Sequence, residues 1–171
     1  MLCLPIGFVP IFFDFFRDVT NFVRNRTKYR LEMRSFVWYD AGMETQYFQL
    51  ARQAMEHAYA PYSHYRVGAC LVSADGSTDC GCNVENASFG ATLCAERVAL
   101  GSAVAHGRRK FTALYLVSDG ATAPLPCGIC RQMLAEFSDM DIVVQAQDGT
   151  VSRYRLHELL PYAFAADGLQ V

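Results

Sequence analysis

The sequence predicts an α/β fold in which a mixed β-sheet is covered by helices on both faces. Three observations support this prediction. A β-hairpin is indicated over residues 66–84, with its turn at Asp75-Gly76 and a first strand rich in small and β-branched residues. Helical patterns and apolar strand patterns then alternate along the chain. Two short strands around a second turn, at Asp148-Gly149, complete the sheet.

The elements follow from the periodicity of apolar residues. These recur at steps of three and four between residues 44 and 58, which predicts a first helix that ends before Pro61. Another helix is predicted from Cys94 to residue 106, where Gly107 is a stop signal. The other predicted elements are strands at 66–73, 78–84 and 112–118, a helix at 127–137, and strands at 141–145 and 151–156.

Residues 1–42 differ from the rest of the chain. They carry six basic and four acidic residues, a charge of +2, whereas the remaining 129 residues carry nine basic and 13 acidic residues, a charge of −4. Their apolar start is too short to span a membrane and lacks the basic residues of a signal peptide. Helical spacing of phenylalanines would permit a helix on a membrane surface, but Met43 opens a complete domain. We interpret residues 1–42 as a disordered extension or a mis-assigned start, and residues 43–171 as the functional domain.

Charge and cysteine usage restrict the partners and the compartment. The net charge is −2 and no basic stripe is present, so a nucleic-acid partner is not expected and a small free substrate is. Seven cysteines are an odd number, and six of them lie between Cys70 and Cys130 with no secretion signal ahead of them. This usage indicates a cytoplasmic protein in which the cysteines bind a metal rather than form disulfides.

Two short motifs carry metal-binding chemistry: Cys-Ala-Glu at residues 94–96 and Pro-Cys-Gly-Ile-Cys at residues 126–130. Each is predicted to begin a helix that follows a strand, and successive crossover helices begin at the same edge of a sheet. The thiolates of Cys94, Cys127 and Cys130 can then converge on one ion. Thiolates suit Zn²⁺, and three protein ligands leave a fourth position for water, which is typical of catalytic sites.

Glu96 is the candidate proton carrier beside this metal. It lies two residues beyond Cys94, so its carboxylate can take a proton from the zinc-activated water and return it to the substrate. Arg97 is placed to donate hydrogen bonds to the sulfurs, and two helix N-termini add partial positive charge. Both effects offset the charge of three thiolates and leave the zinc a stronger Lewis acid.

Over residues 43–171 the sequence resembles the short homotetrameric cytidine deaminases. The matching segments are Pro61-Tyr62-Ser63, Val67-Gly68-Ala69, Asn83-Val84-Glu85-Asn86-Ala87, Cys94-Ala95-Glu96-Arg97, Pro126-Cys127-Gly128, Cys130-Arg131-Gln132 and Leu159-Leu160-Pro161. The resemblance implies a three-layer α/β/α sandwich with a five-stranded mixed sheet, and one zinc ion per subunit on the three cysteines. It also implies hydrolytic deamination of cytidine and 2′-deoxycytidine in pyrimidine salvage, giving the uridine forms and ammonia.

The same resemblance assigns substrate contacts. Asn83 and Glu85 match the residues that hold the 3′-hydroxyl of the sugar, and Ala95 matches a backbone amide that donates to the base. Tyr65 matches a ring that covers the base, at a position where the family usually carries phenylalanine. Phe164 matches a C-terminal aromatic residue that packs on the base bound in a neighbouring subunit. The active site is therefore implied to need a homotetramer.

Three other functions fit parts of the pattern. A deaminase of the same superfamily could act on an antibiotic such as blasticidin S, on dCMP, or on a base in RNA or DNA, although Asn83, Glu85 and the low basic charge count against it. A structural zinc module would need four protein ligands, whereas the motifs supply three. A dithiol oxidoreductase would use Cys127 and Cys130 without stoichiometric zinc. Cytidine turnover and metal content separate these alternatives.

Overall fold

The computed structural model of the protein describes residues 41–164, which are built around a five-stranded β-sheet. The elements are α1 (Ala41–Glu56), β1 (Val67–Ser73), β2 (Thr78–Cys82), a 3₁₀ turn (Phe89–Ala91), α2 (Ala95–Ala105), β3 (Phe111–Ser118), α3 (Gly128–Ala135), β4 (Asp141–Gln145), β5 (Val151–Arg155) and α4 (Leu156–Leu159). Except for its last two residues, the extension at 1–42 lies outside the described part of the chain. Within that described part, no helix has the length and apolar composition needed to cross a bilayer.

The strand directions bring two helix starts to one edge of the sheet. The strand order is β2-β1-β3-β4-β5, with β1 antiparallel to both β2 and β3, β3 parallel to β4, and β4 antiparallel to β5. The carboxyl ends of β2, β3 and β4 therefore lie at the same edge. Because α2 follows β2 and α3 follows β3, both helices begin there. The sequence pattern predicted this edge, although it did not indicate that β1 separates β2 from β3.

Helices cover both faces of the sheet. On one face α1 packs through Tyr47 and Phe48, whose rings lie with their centroids 4.9 Å and 5.2 Å from the ring of Tyr115 in β3. The other face packs against α2 and α3 around a buried cluster. Its members are Ala69, Leu71, Ala95, Ala99, Leu100, Ala103, Phe111, Leu114, Leu116, Leu134, Met140, Ile142, Val144 and Leu156. The expected three-layer sandwich with a five-stranded mixed sheet is confirmed.

Two glycines let the helices lie directly on the sheet. A Cβ atom on Gly68 would come within 1.9 Å of the Ala51 carbonyl oxygen in α1. One on Gly81 would come within 2.6 Å of the Ala95 carbonyl oxygen in α2. Real Cβ atoms do not approach oxygen so closely, so both positions require glycine for space. Gly81 thereby fixes the first turn of α2 against the sheet.

The structure departs from the predicted elements at several boundaries. The second hairpin strand was predicted to reach residue 84 but ends at Cys82, because Val84 leaves the ladder and bridges Tyr59 and Leu93 instead. The first helix is shifted, since α1 covers Ala41–Glu56 rather than residues 44–58. The 3₁₀ turn and α4 were not predicted, since three or four residues are too few to show a helical period.

Candidate active site

Three cysteine sulfurs converge at the edge where α2 and α3 begin. The Sγ atoms of Cys94, Cys127 and Cys130 all lie within 4.8 Å of one another. The distance is 3.8 Å between Cys94 and Cys127 and 3.5 Å between Cys127 and Cys130. Tetrahedral zinc with Zn–S bonds of about 2.3 Å needs sulfurs about 3.8 Å apart, so the cluster has the dimensions for one zinc ion. In residues 41–164, no other group of three His, Cys, Asp or Glu side chains has this geometry.

Helix geometry positions these sulfurs. Cys94 and Cys127 are the N-cap residues of α2 and α3, with extended backbone angles of φ −72°, ψ 154° and φ −68°, ψ 168°. Cys130 lies three residues after Cys127, in the first turn of α3, and so shares its side of the helix. The N–H groups of a first helical turn have no intrahelical acceptors, and the helix dipole places partial positive charge there. Two helix N-termini therefore face the sulfur cluster and favour thiolates.

The hydrogen bonds within the cluster favour a thiolate at Cys94. A hydrogen bond from the Cys130 thiol, opposed by burial and assisted by Cys127 and Arg97, lowers the pKa of Cys94 to about 5. The same contact with Cys94, together with burial, raises the pKa of Cys130. The contact between these two thiols therefore favours the ionised form at Cys94 and disfavours it at Cys130.

Arg97 lies beside Cys94 and is held by the loop before α2. Its guanidinium donates a hydrogen bond to the Thr92 carbonyl oxygen. Its Nε is buried and has no hydrogen-bond partner within the described residues. An arginine fixed in this way keeps a positive charge next to the sulfurs.

Glu96 lies in the first turn of α2 and is only 5% exposed. Burial raises its pKa to about 7, and the negative charge of Cys94 acts in the same direction. The opposing effects of its backbone hydrogen bond, the Cys130 thiol and Arg97 are smaller. A carboxyl group with a pKa near neutrality can both accept and donate a proton under physiological conditions, which suits a general acid and base.

A pocket of about 400 Å³ opens beside the sulfurs and is large enough for a small molecule. Seven of the ten residues that the sequence assigned to the site line it: Tyr65, Asn83, Glu85, Cys94, Ala95, Glu96 and Cys127. Arg97 and Cys130 are not in the pocket wall but contact Cys94. The structure thus brings nine of the ten residues to one place.

Asn83 also organises the chain around this pocket. It is 8% exposed, and its side-chain Oδ1 accepts the N–H of Val67 at 2.9 Å while Nδ2 donates to the Tyr65 carbonyl at 2.8 Å. An amide group has two N–H donors and two lone pairs, so one of each remains for a ligand. The residue both supports the pocket and lines it.

Glu85 likewise both holds a neighbouring loop and lines the pocket. Its carboxylate accepts hydrogen bonds from the backbone N–H groups of Tyr62 and Ser63 at 2.8 Å and 3.2 Å, and from the Ser63 hydroxyl. These bonds, that of the hydroxyl first, lower the pKa of Glu85 and keep it ionised. It remains partly exposed at the pocket wall, where it can accept a hydrogen bond from a hydroxyl group.

Phe164 is the one predicted site residue that lies away from this pocket. Its ring is 69% exposed. The side chain of Gln132 holds its backbone, with Nε2 donating to the Phe164 carbonyl at 2.7 Å and Oε1 accepting its N–H at 3.1 Å. The backbone is therefore fixed while the ring faces outward.

Sequence reasoning missed one wall of the pocket. Residues 122–125, which lead from β3 towards Cys127, line it together with the motif residues. Arg131 of α3 steadies the end of this segment, because its Nε donates to the Pro126 carbonyl at 2.7 Å. The two prolines at 124 and 126 were the available signal, since they stiffen a chain that has no helical or strand pattern.

Known proteins are similar to this chain in sequence and in fold. The family described as cytidine and deoxycytidylate deaminase zinc-binding region matches residues 42–146. The cytidine deaminase of Halalkalibacterium halodurans is 45% identical over 121 residues, which cover 70% of this chain and 92% of that protein. The cytidine deaminase of Sporosarcina psychrophila is 41% identical over 121 residues, covering 70% of this chain and 89% of that protein.

A solved structure is similar to this chain as well. The cytidine deaminase from Burkholderia pseudomallei has a TM-score of 0.67 and 44% sequence identity, covering 70% of this chain and 98% of that one. The family match spans more than half of the chain, and the resemblance inferred from the motifs is confirmed. The cluster of Cys94, Cys127 and Cys130 fits the metal that the family uses. The chain therefore belongs to the zinc-dependent cytidine deaminases, enzymes that remove an amino group by hydrolysis.

Proposed function

We propose that the enzyme deaminates free cytidine and 2′-deoxycytidine, giving uridine or 2′-deoxyuridine and ammonia as a step of pyrimidine salvage. The observation that carries this proposal is the position of Glu96. Its buried carboxyl lies beside three converging sulfurs, at the wall of a pocket that also presents Asn83 and Glu85. Metal chemistry, a proton carrier and groups that can bind a sugar hydroxyl therefore share one cavity.

Each residue has a defined part in the proposed reaction. Cys94, Cys127 and Cys130 would hold one zinc ion, which would supply a Lewis acid that makes water acidic enough to attack the base. A carboxylate oxygen of Glu96 takes one proton from the attacking water and passes it to ring N3 as the new C–O bond forms at C4 of the base. Glu96 then takes the second proton, from the hydroxyl now on C4, and delivers it to the exocyclic nitrogen, so that the C4 carbonyl forms, the C4–N bond breaks and ammonia leaves.

The substrate is held at both ends. Ala95 is the first residue of α2, where backbone N–H groups lack intrahelical acceptors, and its N–H can donate to the base. The ring of Tyr65 covers the base, and the remaining donor of Asn83 and the carboxylate of Glu85 bind the 3′-hydroxyl. These contacts favour a free nucleoside, because a sugar inside a polymer has no free 3′-hydroxyl.

We propose that the working enzyme is a homotetramer. The exposed ring of Phe164, carried on a backbone that Gln132 fixes, suits a contribution to a neighbouring subunit's site. Near the pocket, the exposed rings of Tyr62 and Phe89 also pack edge to face at 5.9 Å and give apolar area for a contact. The six free thiols of the described residues suit a reducing compartment, which supports cytoplasmic placement.

The test is zinc content measured together with turnover on purified full-length protein. We expect one zinc per chain and loss of cytosine absorbance when cytidine or deoxycytidine is added. Activity on dCMP or blasticidin S with none on either nucleoside would overturn the proposed substrate. Light scattering should give the mass of four chains, and a stable, active monomer would overturn the tetramer.

A further inference from the structure

Two segments of the pocket wall are tied together by one ion pair. Asp119 directly follows β3 and Arg66 directly precedes β1, next to the antiparallel pair Val67 and Ser118. The Arg66 N–H donates to Asp119 Oδ1 at 2.9 Å, and its Nε donates to Oδ2 at 2.8 Å. The Asp119 N–H in turn donates to the Arg66 carbonyl at 3.2 Å. Three hydrogen bonds therefore join the chain that enters β1 to the chain that leaves β3.

The residues next to this ion pair meet as well. A Cβ atom on Gly120 would lie 2.4 Å from Cε2 and 3.2 Å from Cδ2 of Tyr65. No left-handed backbone angle occurs at Gly120, so the glycine matters for the space that it leaves to the ring and not for its backbone conformation. The ring of Tyr65 therefore lies directly against the bare backbone of residue 120.

The backbone of Tyr65 is anchored separately from its ring. Its carbonyl accepts from Asn83 Nδ2 at 2.8 Å, and its N–H donates to Ser63 Oγ at 3.0 Å. With the main chain held, the direction of the ring depends on what it packs against, and one of those surfaces is Gly120. Tyr65 lines the pocket, whereas Asp119 and Gly120 do not.

We propose that Asp119 and Gly120 are positioning residues that set the direction of the Tyr65 ring and through it the affinity for the nucleoside. This inference rests on the proposed function, because it assigns the ring to the nucleoside pocket. Asp119 holds the segment after β3 in place, and Gly120 leaves the space that the ring occupies. Neither residue contacts the reacting atoms, so both act on substrate binding and not on proton transfer.

The first experiment is Gly120→Ala in the full-length zinc enzyme. The added methyl group must displace the Tyr65 ring, so KM for cytidine should rise about tenfold while kcat and zinc content stay nearly unchanged. Gly101→Ala is the matched control, because Gly101 is exposed and a Cβ there meets nothing within 4 Å. An unchanged KM in Gly120→Ala would overturn the proposal.

A double-mutant cycle with Tyr65→Ala tests the contact itself. Once the ring is removed, Gly120→Ala should raise KM no further and should no longer lower the melting temperature. Equal effects in both backgrounds would show that the methyl group acts elsewhere and would overturn the proposal. A coupling seen in the melting temperature but not in KM would also overturn it, because the contact would then be merely structural.

Two variants of Asp119 test the ion pair. Asp119→Asn keeps an oxygen that can accept the Arg66 N–H, whereas Asp119→Ala loses both bonds, so KM should rise more in the alanine variant.

Calorimetric measurement of uridine binding to wild type and to Gly120→Ala separates the positioning role from the proposed function. Wild type that fails to turn over cytidine but binds uridine more tightly than Gly120→Ala would overturn the proposed function and support the positioning role. Equal uridine binding by the two proteins would overturn the positioning role whatever the turnover.

Discussion

One buried carboxylate lies at each end of α2, and the two carboxylates have opposite surroundings. Glu96 lies in the first turn, where burial raises its pKa to about 7. Asp79 of β2 lies beside the last turn, where its side chain is 3% exposed and pairs with Arg108. It also accepts from Ser102 Oγ at 3.1 Å and contacts His106 Nδ1 at 2.7 Å. Burial acts against ionisation at Asp79 too, but these hydrogen bonds more than offset it and lower its pKa.

The difference separates a functional carboxylate from a structural one. At Asp79 every partner stabilises the charged form, so the group stays ionised and holds β2 to the end of α2. At Glu96 burial outweighs the compensation that the backbone hydrogen bond, the Cys130 thiol and Arg97 provide, so the charged form is poorly compensated. A carboxyl left in this state can change its protonation during a reaction, which a fully paired one does not do. The functional carboxylate thus lies at the end of α2 where the charged form is less stabilised by its surroundings.

The largest effect is expected from Cys94→Ala. Two remaining thiolates make a poor zinc site, so the variant should lose both metal and turnover. Metal analysis and cytidine turnover on the purified protein check this. Cys82→Ala is the control, because Cys82 is a free cysteine of β2 outside the sulfur cluster, and it should keep one zinc ion. Tight stoichiometric zinc in Cys94→Ala would remove Cys94 from the ligand set.

Glu96→Gln should keep zinc and fold while losing turnover by about a hundredfold to ten-thousandfold or more. The amide preserves the shape of the side chain but neither takes up nor releases a proton near neutral pH. Because a neutral group replaces a poorly compensated one, the melting temperature should not fall. Single-turnover kinetics and thermal unfolding measure the two effects. Activity close to wild type would show that another group moves the protons.

Asp79→Asn should have the opposite profile, with stability lost and turnover kept. Replacing the charged acceptor of Arg108 costs about 1.5–3 kcal/mol of unfolding free energy, at the low end because Arg108 is partly exposed. Denaturant unfolding measures the loss of unfolding free energy. The value of kcat, measured well below the melting temperature, shows whether turnover is kept. The control is Asp148→Asn, at an exposed turn position where the new amide oxygen can still accept the Thr150 N–H. In this variant the unfolding free energy and kcat should both stay near their wild-type values. A large fall in kcat for folded Asp79→Asn would break the contrast between the two ends.

The contribution of Asp79 to the free energy of unfolding should also depend on pH, and it should decrease in acid. Its pKa is lowered on folding, so its stabilisation is fully present above the ordinary value of 3.8. It is lost as pH falls from there through the lower folded value. The difference in unfolding free energy between wild type and Asp79→Asn should therefore be constant near neutrality and shrink below pH 3.8. A difference that stayed constant down to strongly acid pH would mean that the charge of Asp79 is not what stabilises β2.

The two ends of α2 also differ in how far sequence predicts them. The sulfur cluster follows from local signals: two motifs at helix starts and strands that end at one edge. Asp79 gives no such signal, because its partners lie 23 to 29 residues away and are chosen by how α2 packs on β2. Periodicity shows that an element exists and which face is apolar, but it does not give the register between elements.

The pocket wall also shows how far local sequence patterns predict a site. Tyr65, Asn83 and Glu85 were assigned by resemblance alone, and the structure places all three in the pocket wall. Residues 122–125 were missed because a loop without a period takes its position from tertiary contacts. Here the contacts are the Arg66–Asp119 ion pair and the bond from Arg131 to Pro126.

The smallest effect is expected from starting the chain at Met43, which tests whether the site depends on residues 1–42. The helix α1 begins at Ala41, so this truncation removes only two of its residues, and Glu44 keeps its ion pair with Arg153 of β5. Because first helical turns fray at little cost, we expect unchanged kcat and KM and a melting temperature lower by about 4 °C or less. A folded, zinc-loaded truncation that had lost turnover would instead show that the segment before α1 contributes to the active end of the molecule.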